Sequence, residues 1–465
     1  MLFTKFIKKK IFSNFDGYNF LFFSLLIILS INSSFLDVQR IFEIKFDISI
    51  NYFISLLNAI RFFFPLLAFL LLLIFIKRTH YIKIFEHKFY LLFILYFLFQ
   101  LFIYSKFYLV HDWSYVQLAS NGFIFSLICL LSLKENFKYF YKNILIITII
   151  TFSLLSIYLS FKILYEAIEM GNSYLYWSTT LNPTERILGQ PNPRVTGLSR
   201  TLLIFFVLLF FSIERFNKVI KILAYIIMFY IAFVLYGMQT RGFVIGLTIF
   251  LFIYLFFVYD LLLIKIVKIL LLIILPIILY ENFIANKKIT NKQSLNLRLE
   301  NSRIFDGGNI KVDTSGRIEL WKLSLKLIKD NKIIFGVGPQ GDRQIFNFKK
   351  KKNNKPLEDQ VIRWSTNVSN GYIYSYLSAG IIGFCIALVV TIILIKEVFV
   401  AVFINKIFRK NTDQNYLSIF CIIFLCVRTL FENGIFYFSV DYILILVSYL
   451  NIYVFNNNLR NNIIK

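Results

Sequence analysis

Uninterrupted apolar stretches of roughly 17–25 residues, each long enough to cross a bilayer, recur along nearly all of this chain and are separated by short charged connectors. In lipid every backbone amide must find its partner within a helix or a closed barrel. The runs are continuous rather than alternating with period two, which argues against a barrel. The expected fold is therefore all-α: a polytopic integral membrane helix bundle of about twelve transmembrane helices. Of the 465 residues, 58% are hydrophobic and 19% aromatic, well above the roughly 45–50% apolar content of soluble domains. A net charge of +25 would suit nucleic acid. It accompanies, however, the Lys, Asn, Ile, Phe and Tyr enrichment of AT-rich coding, so the expected partner is the lipid bilayer and no nucleic acid.

The spans fall at 18–36, 56–76, 89–104, 115–133, 144–163, 197–213, 220–236, 243–259, 263–280, 371–395, 416–431 and 435–454. Connectors 77–88, 134–142, 214–221, 260–268 and 396–410 are lysine-rich, whereas those between them carry fewer basic residues for their length. Because cytoplasmic loops concentrate Lys and Arg, this alternation puts both termini in the cytoplasm. The lysines before the first span resemble a signal peptide's start, but no small-residue cleavage site follows, so the segment reads as a first span. Three regions result: an N-terminal transmembrane bundle (1–280, about nine spans), one large periplasmic loop (281–370), and the C-terminal transmembrane helices (371–465, about three spans). Loops longer than about 60 residues escape the charge rule, so the lysines of the large loop do not oppose this placement.

Within the loop, 282–309 is rich in Asn and Lys and is expected to be mobile. From Arg317 to Asp330, Ile318, Trp321, Leu325 and Ile328 recur at helical spacing with charged residues on the other faces, the pattern of an amphipathic helix. Thr314 or Ser315 is available as its N-cap, and Gly336, Val337 and Gly338 are expected to end it in a turn.

No phosphate-binding loop, H-E-x-x-H or clustered His and Cys occurs, which argues against nucleotide hydrolysis and a zinc site. The four cysteines lie in apolar runs and read as core thiols. No cofactor is expected. What remains is a group of arginines expected near the outer interface: Arg194 and Arg200 around Gly197, Arg241 in Gln239-Thr240-Arg241-Gly242, and Arg317 at the start of the loop helix. A guanidinium keeps its charge there and presents a planar fork suited to phosphate oxygens. The plain alternative is snorkelling to lipid headgroups. Arg428 and Glu432 lie four residues apart, the spacing of an ion pair within one helix, with Asp441 in the next span. His111 is the one histidine in an outer connector.

Three features, taken in order, resemble the O-antigen ligase and polymerase family. They are Thr240-Arg241-Gly242 before an apolar span; Gly316-Arg317-Ile318-Glu319-Leu320-Trp321 followed by Phe335-Gly336-Val337-Gly338; and Ser369-Asn370-Gly371-Tyr372 running into Ala379-Gly380-Ile381-Ile382-Gly383. The resemblance implies a membrane glycosyltransferase that takes glycan from a polyprenyl pyrophosphate-linked donor at the periplasmic face and delivers it to a glycan or lipid-linked acceptor. Contact with other polysaccharide-assembly proteins goes with it. Arg241 and Arg317 match family positions, so the resemblance implies catalytic roles for them; beside them Glu432 is the third candidate catalytic residue, and Arg194, Arg200, Trp321, Ser369, Asn370 and Arg428 are the candidate substrate contacts. Arg241 and Arg317 would hold the pyrophosphate without a metal. Glu432, then Asp441, then His111 are the candidates for taking the acceptor proton. Family ligases carry a histidine where this chain has Ser369, and serine is no proton acceptor at neutral pH. That shifts the expectation from ligase toward a polymerase or another branch of the family. The rival class is a transporter or flippase for lipid-linked oligosaccharide or a small anion, since many spans with intramembrane charges describe those proteins too.

Overall fold

The computed structural model describes residues 88–106, scattered helical positions between 150 and 168, 195–258 apart from 239, 261–285, 305–306, 309–310, 317–330, 333–339, 341–342, 368, 370–404, 413–432 and 440–463. Its helices are α1 (Lys88–Lys106), α2 (Val195–Ser212), α3 (Lys218–Gly237) and α4 (Arg241–Phe257). The fifth, α5 (Leu262–Ile284), joins two α-helical pieces through the π-helical turn Leu270–Ile274. They are followed by α6 (Arg317–Asp330), α7 (Gly371–Phe399), α8 (Asp413–Thr429) and α9 (Val440–Ile463). Each expected span from 197 onward coincides with one of these, as does 89–104 with α1. The expected spans 18–36, 56–76 and 115–133 lie outside the described residues. In the large loop the chain is not wholly helical: Phe305–Asp306 pairs antiparallel with Asn309–Ile310, which sets a short hairpin in the stretch expected to be mobile.

Among the described residues, α3, α5 and the Gly371–Ile404 helix are long and apolar enough to cross a membrane. Their outward faces stay apolar: Ile222, Ile226, Leu263, Ile392 and Phe399 are exposed. A water-soluble protein would not leave such faces bare, and hydrocarbon covers them at no cost. The chain is an integral membrane protein. Inside, α2 is the axis. It packs on α3, α4 and α8, and Leu202, Leu203, Val207, Phe250, Phe420 and Phe424 are buried where these helices meet. Contact between α4 and its neighbours is close because position 246 is glycine; a Cβ there would run into Leu203 and come within 2.8 Å of Phe424. Small residues that let helices approach are the usual means of association where lipid removes the hydrophobic drive.

The helices sort their ends. At one end Glu214 pairs with Lys221 at 2.6 Å and Lys268 at 3.5 Å, and Asn456 donates to Glu397 Oε2 at 2.7 Å. There too, Lys265 Nζ, buried, donates to the Leu255 carbonyl at the end of α4 at 2.9 Å, where a cation meets the negative pole of the helix. At the other end α3 finishes, α2, α4, α7 and α9 begin, and α6 packs on the start of α7.

Helix α6 has the expected bounds, and its inward face keeps Trp321 and Ile328 of the expected stripe but centres on Leu320. Leu320 and Ser324 are buried, whereas Ile318 and Leu325 of the expected stripe are exposed. Leu320 clusters with Val368, Tyr374 and Leu377, with Trp321, Leu323, Leu327 and Ile328 packed around them. The inward stripe follows Leu320, Ser324 and Leu327. Ser324 satisfies its own hydroxyl on the Leu320 carbonyl at 2.7 Å.

Candidate active site

Gly336-Val337-Gly338 does not close α6; it locks the loop onto the membrane helices. Helix α7 is broken at Ala379–Gly380, where Gly380 takes φ +61°. A break in a membrane-embedded helix frees amides and carbonyls that lipid cannot satisfy. Here the loop satisfies them. Val337 N donates to Leu377 O at 2.7 Å, Gly338 N to Ser378 O at 3.2 Å, and Ile381 N to Ile334 O at 3.0 Å. The strands of this contact touch because both sides are glycine: a Cβ on Gly336, itself at φ +84°, would lie 2.5 Å from Gly380 N, and one on Gly380 would strike the Ile334 carbonyl. Helix α1 braces the same break, with Tyr96 Oη 2.6 Å from Ser378 Oγ and Gln100 Nε2 donating to Tyr96 at 3.0 Å. Two stretches read separately from the sequence, Phe335–Gly338 and Ala379–Gly383, are thus halves of one contact.

The start of α7 is held as tightly. Asn370 caps it, its Oδ1 accepting from Tyr372 N and Ile373 N at 3.0 Å each, the role its residue type suits at a helix start. Its amide donates to Leu430 O at 3.0 Å beyond the end of α8. Trp321 Nε1 donates to Val368 O at 3.1 Å, and its ring lies 6.4 Å from that of Phe431. Asp342 Oδ2 accepts from Val368 N at 3.1 Å. The loop helix, the cap of α7 and the end of α8 therefore form one platform.

Beneath this platform lies a buried charge cluster. Asp441, at the start of α9, is set between Arg200 of α2 and Arg428 of α8. Its Oδ1 is 2.5 Å from Arg200 Nη1, a close charge contact. Arg428 Nη1 donates to Oδ2. Relative exposure is 6% for the Arg200 side chain, 10% for Arg428 and 4% for Asp441. Thr240, just before α4, donates to Ser199 Oγ at 2.9 Å, which ties the opening of α4 to the residue beside Arg200.

Several expectations are corrected by this geometry. The carboxylate on Arg428 is Asp441 of α9, while Glu432, in the turn beyond α8, donates its backbone N–H to the Arg428 carbonyl at 2.9 Å. Arg200 is buried among the helices, its side chain only 6% exposed. Arg241 and Arg317 open α4 and α6, so the starts of both elements meet the end that carries the cluster, through Thr240–Ser199 and Trp321–Phe431. Arg194, Ser369 and His111 lie outside the described residues. The sequence reading missed Asp342, Tyr96 and Gln100, whose polar side chains inside or beside apolar runs are the only signal of their roles. It also read Asp441 only as a proton acceptor.

Residues 223–388 match the family model described as O-antigen ligase. The match takes in the start of α4, all of α6, the glycine lock and the cap of α7, and leaves Arg200, Arg428 and Asp441 outside it. No curated protein matches the chain.

Proposed function

We propose that this chain, an O-antigen ligase family protein by its segment 223–388 and so a membrane glycosyltransferase-type protein of O-antigen assembly, transfers or polymerises glycan from a polyprenyl pyrophosphate donor at the periplasmic face of the bacterial inner membrane. The observation that carries the reading is the convergence of arginine-bearing helix starts. Arg241 opens α4 and Arg317 opens α6, and both helices are tied to the end that holds Arg200 and Arg428. Guanidinium groups buried in a membrane bundle, as Arg200 and Arg428 are, are costly unless they meet anions, and a diphosphate is the anion a lipid carrier brings to that end.

In the reaction the acceptor hydroxyl oxygen attacks the anomeric carbon of the donor sugar. The bond from that carbon to the diphosphate oxygen breaks, its electron pair leaves on the polyprenyl diphosphate, and the hydroxyl proton passes to a carboxylate. Arg241 and Arg317 stabilise the charge that grows on the leaving diphosphate, an interaction strongest at the transition state. Glu432, in the turn between α8 and α9 and close enough to act on Arg200 electrostatically, is the carboxylate assigned to the proton. Trp321 and Asn370 shape the acceptor side. With Ser369 in place of the family ligase's histidine, polymerisation is favoured over transfer to a lipid A core. The full reading has about twelve spans, both termini in the cytoplasm and 281–370 outside. The lysines at the Glu214 end support it, since they mark that end as cytoplasmic.

The test is reconstitution of the full chain in liposomes with a polyprenyl pyrophosphate glycan. Longer glycan and free polyprenyl pyrophosphate are expected, and Arg241→Ala or Arg317→Ala is expected to cut the rate by about 10²-fold or more. Movement of intact donor across the bilayer with no bond cleavage would assign the protein to flippases instead. Product formation untouched in both variants would remove the donor site proposed here.

A further inference from the structure

Arginine has two usable forks: one made by its two terminal nitrogens, the other by Nε with the Nη on the same side. In Arg200 the first is partly engaged, because Nη1 faces Asp441 Oδ1 at 2.5 Å. The second is whole and unused. Nε and Nη2 are both buried and neither has a hydrogen-bond partner among the described residues, and the side chain is only 6% exposed. A permanently charged group with two buried, unanswered N–H donors is a rare arrangement in a folded protein. The spacing of that fork matches two oxygens of a phosphate or carboxylate.

The reason the fork stays unused lies in Asp441. One carboxylate serves two guanidinium groups, Oδ1 toward Arg200 and Oδ2 toward Arg428, so it cannot close in bidentate fashion on either. Two positive charges against one negative charge leave a cationic surplus, which Glu432 opposes only from the turn beyond α8. Asp441 comes from α9, Arg200 from α2 and Arg428 from α8, and none of the three falls in the segment that matches the ligase model. Ser199, next to Arg200, is bonded to Thr240, the residue before Arg241.

The geometry points to the Nε–Nη2 fork of Arg200 as a phosphate-oxyanion site, with Asp441 as the positioning residue that holds the fork open. Resting on the function proposed above, the occupant is the diphosphate of the polyprenyl donor, taken by Arg200 together with the arginine that opens α4. Asp441 touches no substrate; it acts by fixing Arg200.

The experiment measures binding of polyprenyl diphosphate, polyprenyl monophosphate and phosphatidylglycerol to the full chain in nanodiscs. Donor KM and kcat are measured with the same variants. Arg200→Lys keeps the charge and the ion pair but loses the fork. It is expected to weaken diphosphate binding tenfold or more, to lower the preference for diphosphate over monophosphate, and to raise donor KM. Asp441→Asn is expected to raise donor KM more than it lowers kcat. Asp441→Glu keeps every charge and displaces the fork by one methylene, so it tests the same point should Arg200→Lys fail to fold; a several-fold loss of diphosphate affinity is expected. Unchanged diphosphate affinity in folded Arg200→Lys or in Asp441→Glu overturns the inference. An equal loss for phosphatidylglycerol overturns it too, because the fork would then serve bulk headgroups. If the wild type binds no polyprenyl diphosphate and forms no product, the function proposed above fails along with it. If Arg241→Ala abolishes binding while Arg200→Lys does not, only the inference falls.

Discussion

At position 380 one methyl group would decide whether the large loop can reach the membrane helices. Gly380 holds φ +61°, a region closed to most L side chains, and its missing Cβ is the space the Ile334 carbonyl occupies. Gly380→Ala is expected to cost at least about 1–3 kcal/mol from backbone strain alone, and more from separating the two strands of the lock. A lowered melting temperature in detergent, with faster proteolysis at 333–338, checks it; an unchanged melting curve would mean the lock contributes nothing. The same scale shows how far residue types were informative. Two glycine-rich motifs could be seen along the chain, but not that each is shaped to the other, because a contact across more than forty residues has no trace in local spacing. For Arg428 local spacing actively misled. The i, i+4 rule looks along one helix only, and Asp441 reaches Arg428 from α9.

At the scale of elements, α6 separates what periodicity can and cannot tell. Its ends, Arg317 and Asp330, were legible because apolar residues at helical spacing stop where polar and glycine residues begin. Its buried face was not, since apolar residues occur on more than one side and the choice among them is made by the partner surface of Val368, Tyr374 and Leu377. Leu320, 3% exposed, and Leu325, 55% exposed, give a matched pair for testing. Leu320→Ala is expected to destabilise by about 2–5 kcal/mol, as for other buried leucines, while Leu325→Ala stays within about 0.5 kcal/mol. Thermal unfolding of the two variants, read beside glycan transfer, checks the assignment; equal effects would refute the orientation of α6. Among the described residues the long apolar helices α3, α5 and Gly371–Ile404 were the most legible elements, because bilayer thickness imposes their length and leaves few alternatives.

At the scale of the whole molecule, the two ends of the bundle carry opposite chemistry. One holds the loop helix, the glycine lock and the buried Arg200–Asp441–Arg428 cluster; the other holds exposed lysines and Glu214. Hydrogen bonding to Lys221, reinforced by the charges of Lys221 and Lys268, keeps the Glu214 carboxyl below its ordinary value. A depressed folded-state value means its stabilisation is complete above the unfolded pKa, about 4.3, and disappears as pH falls through the folded one. The pair is solvent-exposed, so the effect is small. The melting temperature of Glu214→Gln should therefore lie slightly below wild type at pH 7 and converge with it near pH 3; a gap that widened on acidification would contradict the pairing.

What the sequence determined by itself was the class of the molecule and the position of its helices. Apolar run length, the cost of unpaired amides in lipid and the lysine-rich connectors act locally along the chain, and local rules can be read from order alone. Only the tertiary structure decided which charges meet. A buried carboxylate chooses its partners by the approach of three helices far apart in sequence, and that choice leaves Arg200 with an open, unanswered fork where helix starts, loop helix and glycine lock come together.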